Sequence, residues 1–271
     1  MKIRILSGAA LIALLAGVLA GGHFYPVILT AFVAVMCSIA SFEMLHSAGG
    51  IKSKTVLVGA GAFSVLAVFL SAWQNFQIAG YAVDFTTLSV IYALFAVVMC
   101  LVNHKDFSLH SIAMAVGFPI ILSFAFASLE STVNGNGGIY YLLLLLNFSS
   151  ICDMGAYFVG STIGKHKLCE AISPKKTIEG AVGGLVCSLI VTVILVFSFG
   201  HADRLIPTLI LTLPLCVLGI AGDLFASIIK RTAGIKDYGR LIPGHGGVLD
   251  RVDSILMISP VLSLCIGLGL L

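Results

Sequence analysis

Long apolar segments separated by short polar connections run along nearly the whole of this 271-residue chain. A helix that crosses a bilayer needs roughly 20 consecutive apolar residues, so eight to ten crossings with their loops would fill a chain of this length. The pattern predicts an all-α polytopic membrane protein with about nine transmembrane helices. The predicted spans are residues 4–21, 24–44, 55–73, 87–103, 110–129, 139–163, 180–199, 205–226 and 252–271.

The composition agrees with lipid as the main solvent. The chain is 59% hydrophobic and 10% charged, whereas a soluble domain carries about 25% charged residues. Its formal charge of +3 is too small to suggest a nucleic-acid partner. The seven cysteines are scattered, form no CxxC pair and mostly lie in apolar runs. We therefore expect neither a structural disulfide nor a zinc site.

The basic residues predict an orientation. If nine helices cross the membrane and the N-terminus is cytoplasmic, fourteen of the fifteen Lys and Arg residues face the cytoplasm and Arg204 lies outside. The positive-inside rule favours this distribution. The two most basic loops, 164–179 and 227–251, then lie on the same cytoplasmic face. We accordingly expect N-terminal transmembrane helices at 1–130 and a C-terminal catalytic region at 131–271.

An acidic residue, Asp153, interrupts the apolar span at 139–163. It could cap a helix or pair with a lysine, but burying a carboxylate costs roughly several kcal/mol, which favours a functional role. Further along, three residues separate Gly180 from Gly184, a spacing typical of close helix packing. Packing within one bundle is the favoured interpretation, and formation of a homodimer is the alternative.

The polar segment between the sixth and seventh predicted spans has the features of a helix start. Ser173 is the expected N-cap, and Pro174 suits the first helical position. Glu179 suits the first turns. In one interpretation this is a capped membrane helix with lysines that extend to the interface. In the other, backbone N–H groups and the ammonium groups of Lys175 and Lys176 face a phosphate chain.

The run from Asp223 to Asp253 is the most informative part of the chain. It holds nine of the 27 charged residues (15 basic plus 12 acidic), and ionisable groups at a membrane by default mark a functional site. Asp223 and Ser227 are four residues apart and share one helical face. Asp250 and Asp253 are three residues apart at the start of the last span. The charged residues of the run are Asp223, Lys230, Arg231, Lys236, Asp237, Arg240, Asp250, Arg251 and Asp253.

This run has the parts of a site for phosphates and a divalent metal. If Asp223, Asp250 and Asp253 meet at one cytoplasmic vestibule, their oxygens would hold one or two Mg²⁺ ions. The surrounding Lys and Arg side chains would neutralise a triphosphate and a lipid phosphate. The Gly246–Gly247 pair lets the backbone approach a ligand closely. The alternative is a loop of surface ion pairs, which the position of Asp223 and Asp253 in predicted helices disfavours.

About a dozen residues stand in a fixed pattern: Ser227-x-x-Lys230-Arg231, Lys236-Asp237 and Pro243-x-His245-Gly246-Gly247-x-x-Asp250-Arg251-x-Asp253. This pattern resembles the signature of the phosphatidate cytidylyltransferases, the CDP-diacylglycerol synthases, and every position of it is filled. Two further segments are similar to other motifs of that family: Ile172-Ser173-Pro174-Lys175-Lys176-Thr177-x-Glu179-Gly180 and Asp153-x-Gly155-Ala156-Tyr157. The resemblance covers about 150–255, with Glu43 in the second span as a candidate family acid.

The resemblance implies an integral membrane nucleotidyltransferase of the bacterial inner membrane, with its active site facing the cytoplasm. Such an enzyme condenses CTP with phosphatidic acid to CDP-diacylglycerol and pyrophosphate in phospholipid biosynthesis. The implied cofactor is Mg²⁺, with K⁺ as a second candidate ion. The implied metal ligands are Asp223, Asp250 and Asp253. The implied catalytic residues are Asp223, Asp250, Lys230, Arg231 and His245. The implied substrate-binding residues are Asp153, Ser173, Lys175, Lys176, Thr177, Glu179, Ser227, Lys236, Asp237, Gly246, Gly247 and Arg251.

Two other functions stay open on the residues alone. A CDP-alcohol phosphotransferase would require a longer run of spaced aspartates on paired helices, and here only Asp250 and Asp253 stand close together. A secondary transporter for an anionic metabolite would use intramembrane charge and broken helices as its binding site. Transporters of that type often show two matching halves, whereas the charge in this chain is concentrated in the C-terminal half.

Overall fold

The structure is a computed structural model, and it describes residues 2–73, 77–78, 81–82, 84–170, 172–244 and 246–271. For residues 2–6, 12, 77–78 and 81–82 it describes the backbone alone. Most of the described chain is helical. His245, a predicted catalytic residue, lies outside the described residues.

The helices of the first half follow the apolar segments closely. They are α1 (Lys2–Phe24), α2 (Pro26–Glu43), α3 (Lys54–Ala72), α4 (Phe85–Val102) and α5 (Leu109–Asn134). One π-helical turn, Met44–Ala48, extends α2 beyond its predicted end. Two short strands, β1 (Gln77–Ile78) and β2 (Tyr81–Ala82), form an antiparallel hairpin between α3 and α4. A 3₁₀ turn, His104–Asp106, follows α4.

The second half begins with a helix that a π-helical turn interrupts. Its parts are α6 (Gly138–Leu146), the turn Asn147–Ile151 and α7 (Cys152–Ile163). An antiparallel hairpin of β3 (Lys167–Cys169) and β4 (Ser173–Thr177) follows. The chain continues through α8 (Ile178–Ser198), a 3₁₀ turn at Ala202–Arg204, α9 (Leu205–Thr232) and α10 (Leu249–Gly267).

Among the described residues, eight helical stretches are long and apolar enough to cross a membrane. They are Ser7–Phe24, Pro26–Ala48, Lys54–Ala72, Phe85–Val102, Leu109–Asn134, Gly138–Ile163, Ile178–Ser198 and Ala202–Thr232. The prediction of an all-α polytopic membrane protein is therefore confirmed. The ninth predicted span, 252–271, corresponds to α10. Asp250, Arg251 and Asp253 lie among its first five residues, and α10 is not one of these eight stretches.

The chain divides into two compact units, and the first consists of Met1–Asn134 and Thr232–Val252. In its core, α2, α3 and α5 meet through small hydroxyl side chains. The Oγ atoms of Ser41 and Ser64 are 2.8 Å apart, and Ser123 donates to Ser64 at 3.3 Å. Small residues let helix backbones approach closely, and hydrogen bonds between helices stabilise packing where solvent cannot drive it.

The second unit consists of Gly135–Arg231 and Asp253–Leu271. Gly180 and Gly184 of α8 pack directly against α7. A Cβ atom at Gly180 would collide with the carbonyl oxygen of Ala156, and one at Gly184 with that of Cys152. The interpretation that this glycine pair serves packing within one bundle is confirmed. Formation of a homodimer stays a prediction.

The predicted cytoplasmic loop at 227–251 differs in extent and in grouping from the expectation. The helix α9 continues to Thr232, so the connecting loop is shorter. Residues Thr232–Val252 belong to the unit formed by the N-terminal helices rather than to the C-terminal region. The contacts of Glu43, described next, explain this grouping.

Candidate active site

A carboxylate of α2 holds the segment Thr232–Val252, which we name the signature loop. Val248 N–H donates to Glu43 Oε1 at 3.1 Å, and Leu249 N–H donates to Glu43 Oε2 at 2.9 Å. Leu249 is the first residue of α10, and the first N–H groups of a helix have no partner within the helix. Glu43, which is buried, therefore caps α10 from a distant part of the chain.

Glycines let the signature loop close around this carboxylate. A Cβ atom at Gly239 or at Gly247 would collide with the carboxylate of Glu43. The chain reverses at Gly244 and Gly246, which have φ angles of +79° and +88°, in the left-handed region that favours glycine. Gly247 thus lets the backbone approach a protein carboxylate closely, and close approach of a ligand to the Gly246–Gly247 pair stays a prediction.

Asp250 ties two parts of the loop together from inside. Its Oδ2 accepts from Tyr238 N–H at 2.8 Å and from Gly247 N–H at 3.1 Å. Ser47, in the π-helical turn that extends α2, donates to the carbonyl oxygen of Tyr238. Asp250 is buried, so these hydrogen bonds form away from water, where leaving the groups unpaired would be costly. The conformation of the loop therefore depends on Asp250 as well as on Glu43.

The outer face of the signature loop forms a basic cradle. A cavity of about 700 Å³ lies there, and Lys236, Asp237, Arg240 and Arg251 line it together with Gly246. The four charged side chains are exposed. Three cations against one carboxylate give the cradle an excess of positive charge. It is therefore suited to an anionic ligand with several oxygens, such as a phosphate chain.

In the second unit, Lys176 on β4 places its ammonium group between two carboxylates. Its Nζ lies 2.8 Å from Asp223 Oδ2 on α9 and 3.3 Å from Asp153 Oδ1 on α7. Burial lowers the pKa of Lys176, but the two carboxylates outweigh burial, and the net effect raises the pKa above its ordinary value. Lys176 therefore stays charged at neutral pH, and a cavity of about 250 Å³ beside it is also lined by Ser173 and Lys175.

The hairpin of β3 and β4 positions Lys176, and here one prediction is wrong. Ser173 does not cap a helix but begins β4, where it pairs with Cys169. The N-cap of α8 is Thr177, whose Oγ1 accepts from Gly180 N–H at 3.1 Å. Thr177 is β-branched and suits the extended backbone of a strand end, so it ends the strand and starts the helix.

Glu179, expected in the first turn, does lie there and braces the hairpin. It accepts from Lys165 N–H at 3.1 Å and from His166 N–H at 3.2 Å. His166 Nδ1 also lies 2.6 Å from Glu179 Oε1. These contacts fix the start of the hairpin against α8, and they give Glu179 a structural role alongside its predicted contact with substrate.

A third pair of charges joins α9 to α10. Lys230 Nζ lies 4.0 Å from Asp253 Oδ2, and the two side chains are only 11% and 12% exposed. Ser254 N–H donates to Asp253 Oδ1 at 2.8 Å. On the same helix as Lys230, Ser227 is partly buried and Arg231 is exposed. In the second unit, Lys176 and Lys230 are therefore paired with carboxylates at two separate places.

Comparisons with known proteins agree with the resemblance. The model of the cytidylyltransferase family matches residues 2–268. The chain belongs to the cytidylyltransferase family. It is 35% identical to a phosphatidate cytidylyltransferase of Staphylococcus saprophyticus over 97% of this chain and 98% of that protein. It is 34% identical to one from Staphylococcus aureus over the same shares. One from Staphylococcus haemolyticus is 45% identical over 47% of this chain and 49% of that protein.

The donor set of this cytidylyltransferase family member suits Mg²⁺. This ion is usually held by one or two carboxylates, completed by water and substrate phosphates. Asp153 and Asp223, gathered around one ammonium group, provide such a pair. Among the residues that the structure describes, no three His, Cys, Asp or Glu side chains form a ready ion site. The roles of Asp223, Asp250 and Asp253 as metal ligands stay predictions.

The structure thus gathers the predicted site residues into three groups. Asp153, Lys176 and Asp223 form one group, and Lys230 and Asp253 form another. The third lies on the signature loop, where Asp250 shapes the backbone and the basic side chains line the cradle. The contribution of Glu43 to the loop was not predicted. A lone carboxylate in an apolar span was the available signal, but its backbone partners are more than two hundred residues away.

Proposed function

We propose that the chain is a phosphatidate cytidylyltransferase, which condenses CTP with phosphatidic acid to give CDP-diacylglycerol and pyrophosphate. One observation carries the proposal: the complete signature between Ser227 and Asp253, in a chain that matches relatives of that name over nearly its whole length. Eight candidate membrane spans suit an enzyme whose substrate and product are both lipids.

The reaction requires little covalent chemistry from the protein. A phosphate oxygen of phosphatidic acid attacks the α-phosphorus of CTP and forms the new P–O bond. The bond between the α-phosphorus and the bridging oxygen breaks, and pyrophosphate leaves with that oxygen. The attacking phosphate is already anionic, so no strong base is needed. Positioning and neutralisation of charge then account for most of the catalysis.

Each unit carries basic residues that suit this neutralisation. In the first unit, Lys236, Arg240 and Arg251 of the cradle would bind phosphate oxygens through charge-assisted hydrogen bonds. In the second unit, Lys176 would exchange a carboxylate for a phosphate oxygen, since its ammonium group stays charged. His245 would orient a phosphate or donate a proton to it.

Mg²⁺ is the proposed cofactor, with K⁺ as a second candidate ion. Asp223 would contribute to its site, together with Asp153 from the same cluster and with Asp250 and Asp253 as predicted from the signature. The ion would polarise the α-phosphate and neutralise the leaving oxygens.

We further propose that the active site faces the cytoplasm at a bacterial inner membrane. The relatives come from bacteria, and the positive-inside distribution of Lys and Arg supports the orientation. CTP is a cytoplasmic metabolite, so a site on that face meets both of its substrates. Formation of a homodimer stays an alternative to a single copy of the chain.

The direct test uses purified protein in mixed micelles with radiolabelled CTP, phosphatidic acid and Mg²⁺. We expect one labelled CDP-diacylglycerol for each pyrophosphate released, and no labelled lipid when phosphatidic acid is omitted. Diacylglycerol, which lacks the attacking phosphate, is the matched control substrate. Folded protein that forms no labelled lipid would contradict the proposal, and so would equal turnover with diacylglycerol.

A further inference from the structure

A groove in the first unit has no role in the function described so far. Its volume is about 1170 Å³, somewhat above the roughly 300–1,000 Å³ of most small-molecule sites. Side chains of α2 and α3 form its walls, and residues 238–241 of the signature loop close one end. The loop lies at that end because Ser47 donates to the carbonyl oxygen of Tyr238.

The two ends of this groove differ in polarity. At the end closed by the loop, the lining includes His46, Lys54 and Arg240. Glu43 also borders this end, but its two oxygens already accept the backbone N–H groups described above. Towards the middle of the spans, the lining is mostly apolar and includes Ile39, Val65 and Leu66, with Ser38 as a polar member.

The length of the groove matches half of a bilayer. Its lining on α3 runs from Lys54 to Leu66, which is about 18 Å at roughly 1.5 Å per helical residue. One leaflet contributes about half of the roughly 30 Å hydrocarbon core. Lys54 is the first residue of its span, so the cationic end lies at the membrane interface and the apolar end at the depth of the chain termini.

The groove is also open on the side that faces lipid. Val58 is 70% exposed and Leu66 is 52% exposed, although both line the groove. Ala62, between them on α3, is exposed as well, and its small side chain leaves the groove unfilled. A lipid can therefore enter sideways without leaving the hydrocarbon layer.

We propose that this groove binds the phosphatidic acid substrate, with an acyl chain along α2 and α3 and the phosphate near Lys54 and Arg240. The inference rests on the proposed function. Lys and Arg are the usual partners of phosphate oxygens. The apolar wall offers the acyl chain a surface that is as apolar as the surrounding lipid. Arg240 also lines the basic cradle, so one side chain borders both the lipid groove and the proposed nucleotide site.

The test narrows the groove and compares substrates of different chain length. Ala62→Phe places a ring in the groove, and Ala113→Phe, at an exposed position on α5, is the matched control. We expect Ala62→Phe to raise KM for dioleoyl phosphatidic acid on the order of tenfold, because a pocket that loses apolar space discriminates by about that factor. KM for CTP and for dihexanoyl phosphatidic acid should not change. Val58→Phe provides a second narrowing variant if Ala62→Phe does not fold.

The outcomes separate this inference from the proposed function. If the wild type forms no CDP-diacylglycerol, the proposed function fails. If the wild type is active but both narrowing variants match Ala113→Phe for the long-chain substrate, the groove proposal is overturned. A variant that changes the mass of the particle in light scattering, with KM for the long-chain lipid unchanged, would assign the groove to a second copy of the chain and would also overturn it.

Discussion

The contact between Glu43 and the start of α10 gives the sharpest prediction. Glu43→Gln keeps the size and shape of the side chain but replaces one carboxylate oxygen with an NH₂ group. That NH₂ group must then face either Val248 N–H or Leu249 N–H, each of which now donates to its own oxygen. One backbone donor loses its partner, and the other donates to a neutral acceptor.

The cost can be estimated from these two hydrogen bonds. A hydrogen bond to a charged group contributes about 1.5–3 kcal/mol, and a buried donor left without a partner costs about 1–3 kcal/mol. We expect the ordered state of the signature loop to lose about 2–3 kcal/mol, which corresponds to a roughly 30- to 150-fold change in its equilibrium. Activity should fall by up to that factor, because the cradle and Asp250 share the same loop.

Glu130→Gln is the matched control, since Glu130 is another buried carboxylate of the same unit. Thr30 and Asn134 both donate to its Oε1, at 2.7 and 2.9 Å. Glutamine retains such an oxygen, so both hydrogen bonds can persist and activity should stay near that of the wild type.

The assay combines initial rates with hydrogen exchange of the peptide that covers 238–250. Glu43→Gln should accelerate exchange at Val248 and Leu249 and should lower the rate of lipid synthesis, while exchange in α5 stays unchanged. If Glu43→Gln retains wild-type exchange and wild-type turnover, Glu43 does not hold the loop and the reasoning is wrong.

Four other predictions concern the second unit and the metal. Lys176→Met should lower activity on the order of 100-fold, as loss of a preorganised charge does, whereas Lys175→Met should cost less, and equal losses would refute the distinction. The pKa of Lys176 is raised in the fold, so the stability that its charge contributes is fully present below the pKa of the unfolded chain. That stability disappears as the pH rises through the pKa of the folded state. The thermal midpoints of the wild type and Lys176→Met should therefore converge only in strong alkali. Gly184→Leu should overpack the contact between α7 and α8 at a cost of about 3 kcal/mol or more, seen as a lower thermal midpoint, whereas Val186→Leu on the exposed side of α8 should match the wild type. Removal of divalent ions with EDTA should abolish lipid synthesis and excess Mg²⁺ should restore it, and undiminished turnover in EDTA would exclude a required divalent ion.

Hydrophobic periodicity and length were enough to locate the transmembrane helices. The predicted start of α3 at 55 and its end at 73 agree within one residue with Lys54–Ala72. The end of α2 was less predictable, because the π-helical turn at Met44–Ala48 has no distinct apolar pattern. Membership of the cytidylyltransferase family, predicted from the pattern of residues, is confirmed by the family match over residues 2–268.

The candidate site was predictable in its membership but not in its contacts. Patterns along the chain identified Asp153, Lys176 and Asp223, yet only the fold shows that one ammonium group bridges the two carboxylates. The assignment of Ser173 as N-cap failed because Ser, Pro and Thr also suit a strand end, and the local pattern could not decide between them. The backbone bonds of Asp250 depend on the turn at Gly244 and Gly246, whose geometry no helical periodicity encodes.

The cap that Glu43 places on α10 has a consequence for biosynthesis. Its partner Val248 follows it by 205 residues, so the ribosome must add at least that many residues before this carboxylate can meet the amides it holds. Until then the Glu43 carboxylate lies without these partners at the end of α2, within the candidate span Pro26–Ala48, where an unpaired acidic group is costly. In chains truncated before Leu249, the Glu43 carboxylate would never gain these partners. We expect quality-control proteases to degrade such chains faster than truncated chains in which Glu43 is also replaced.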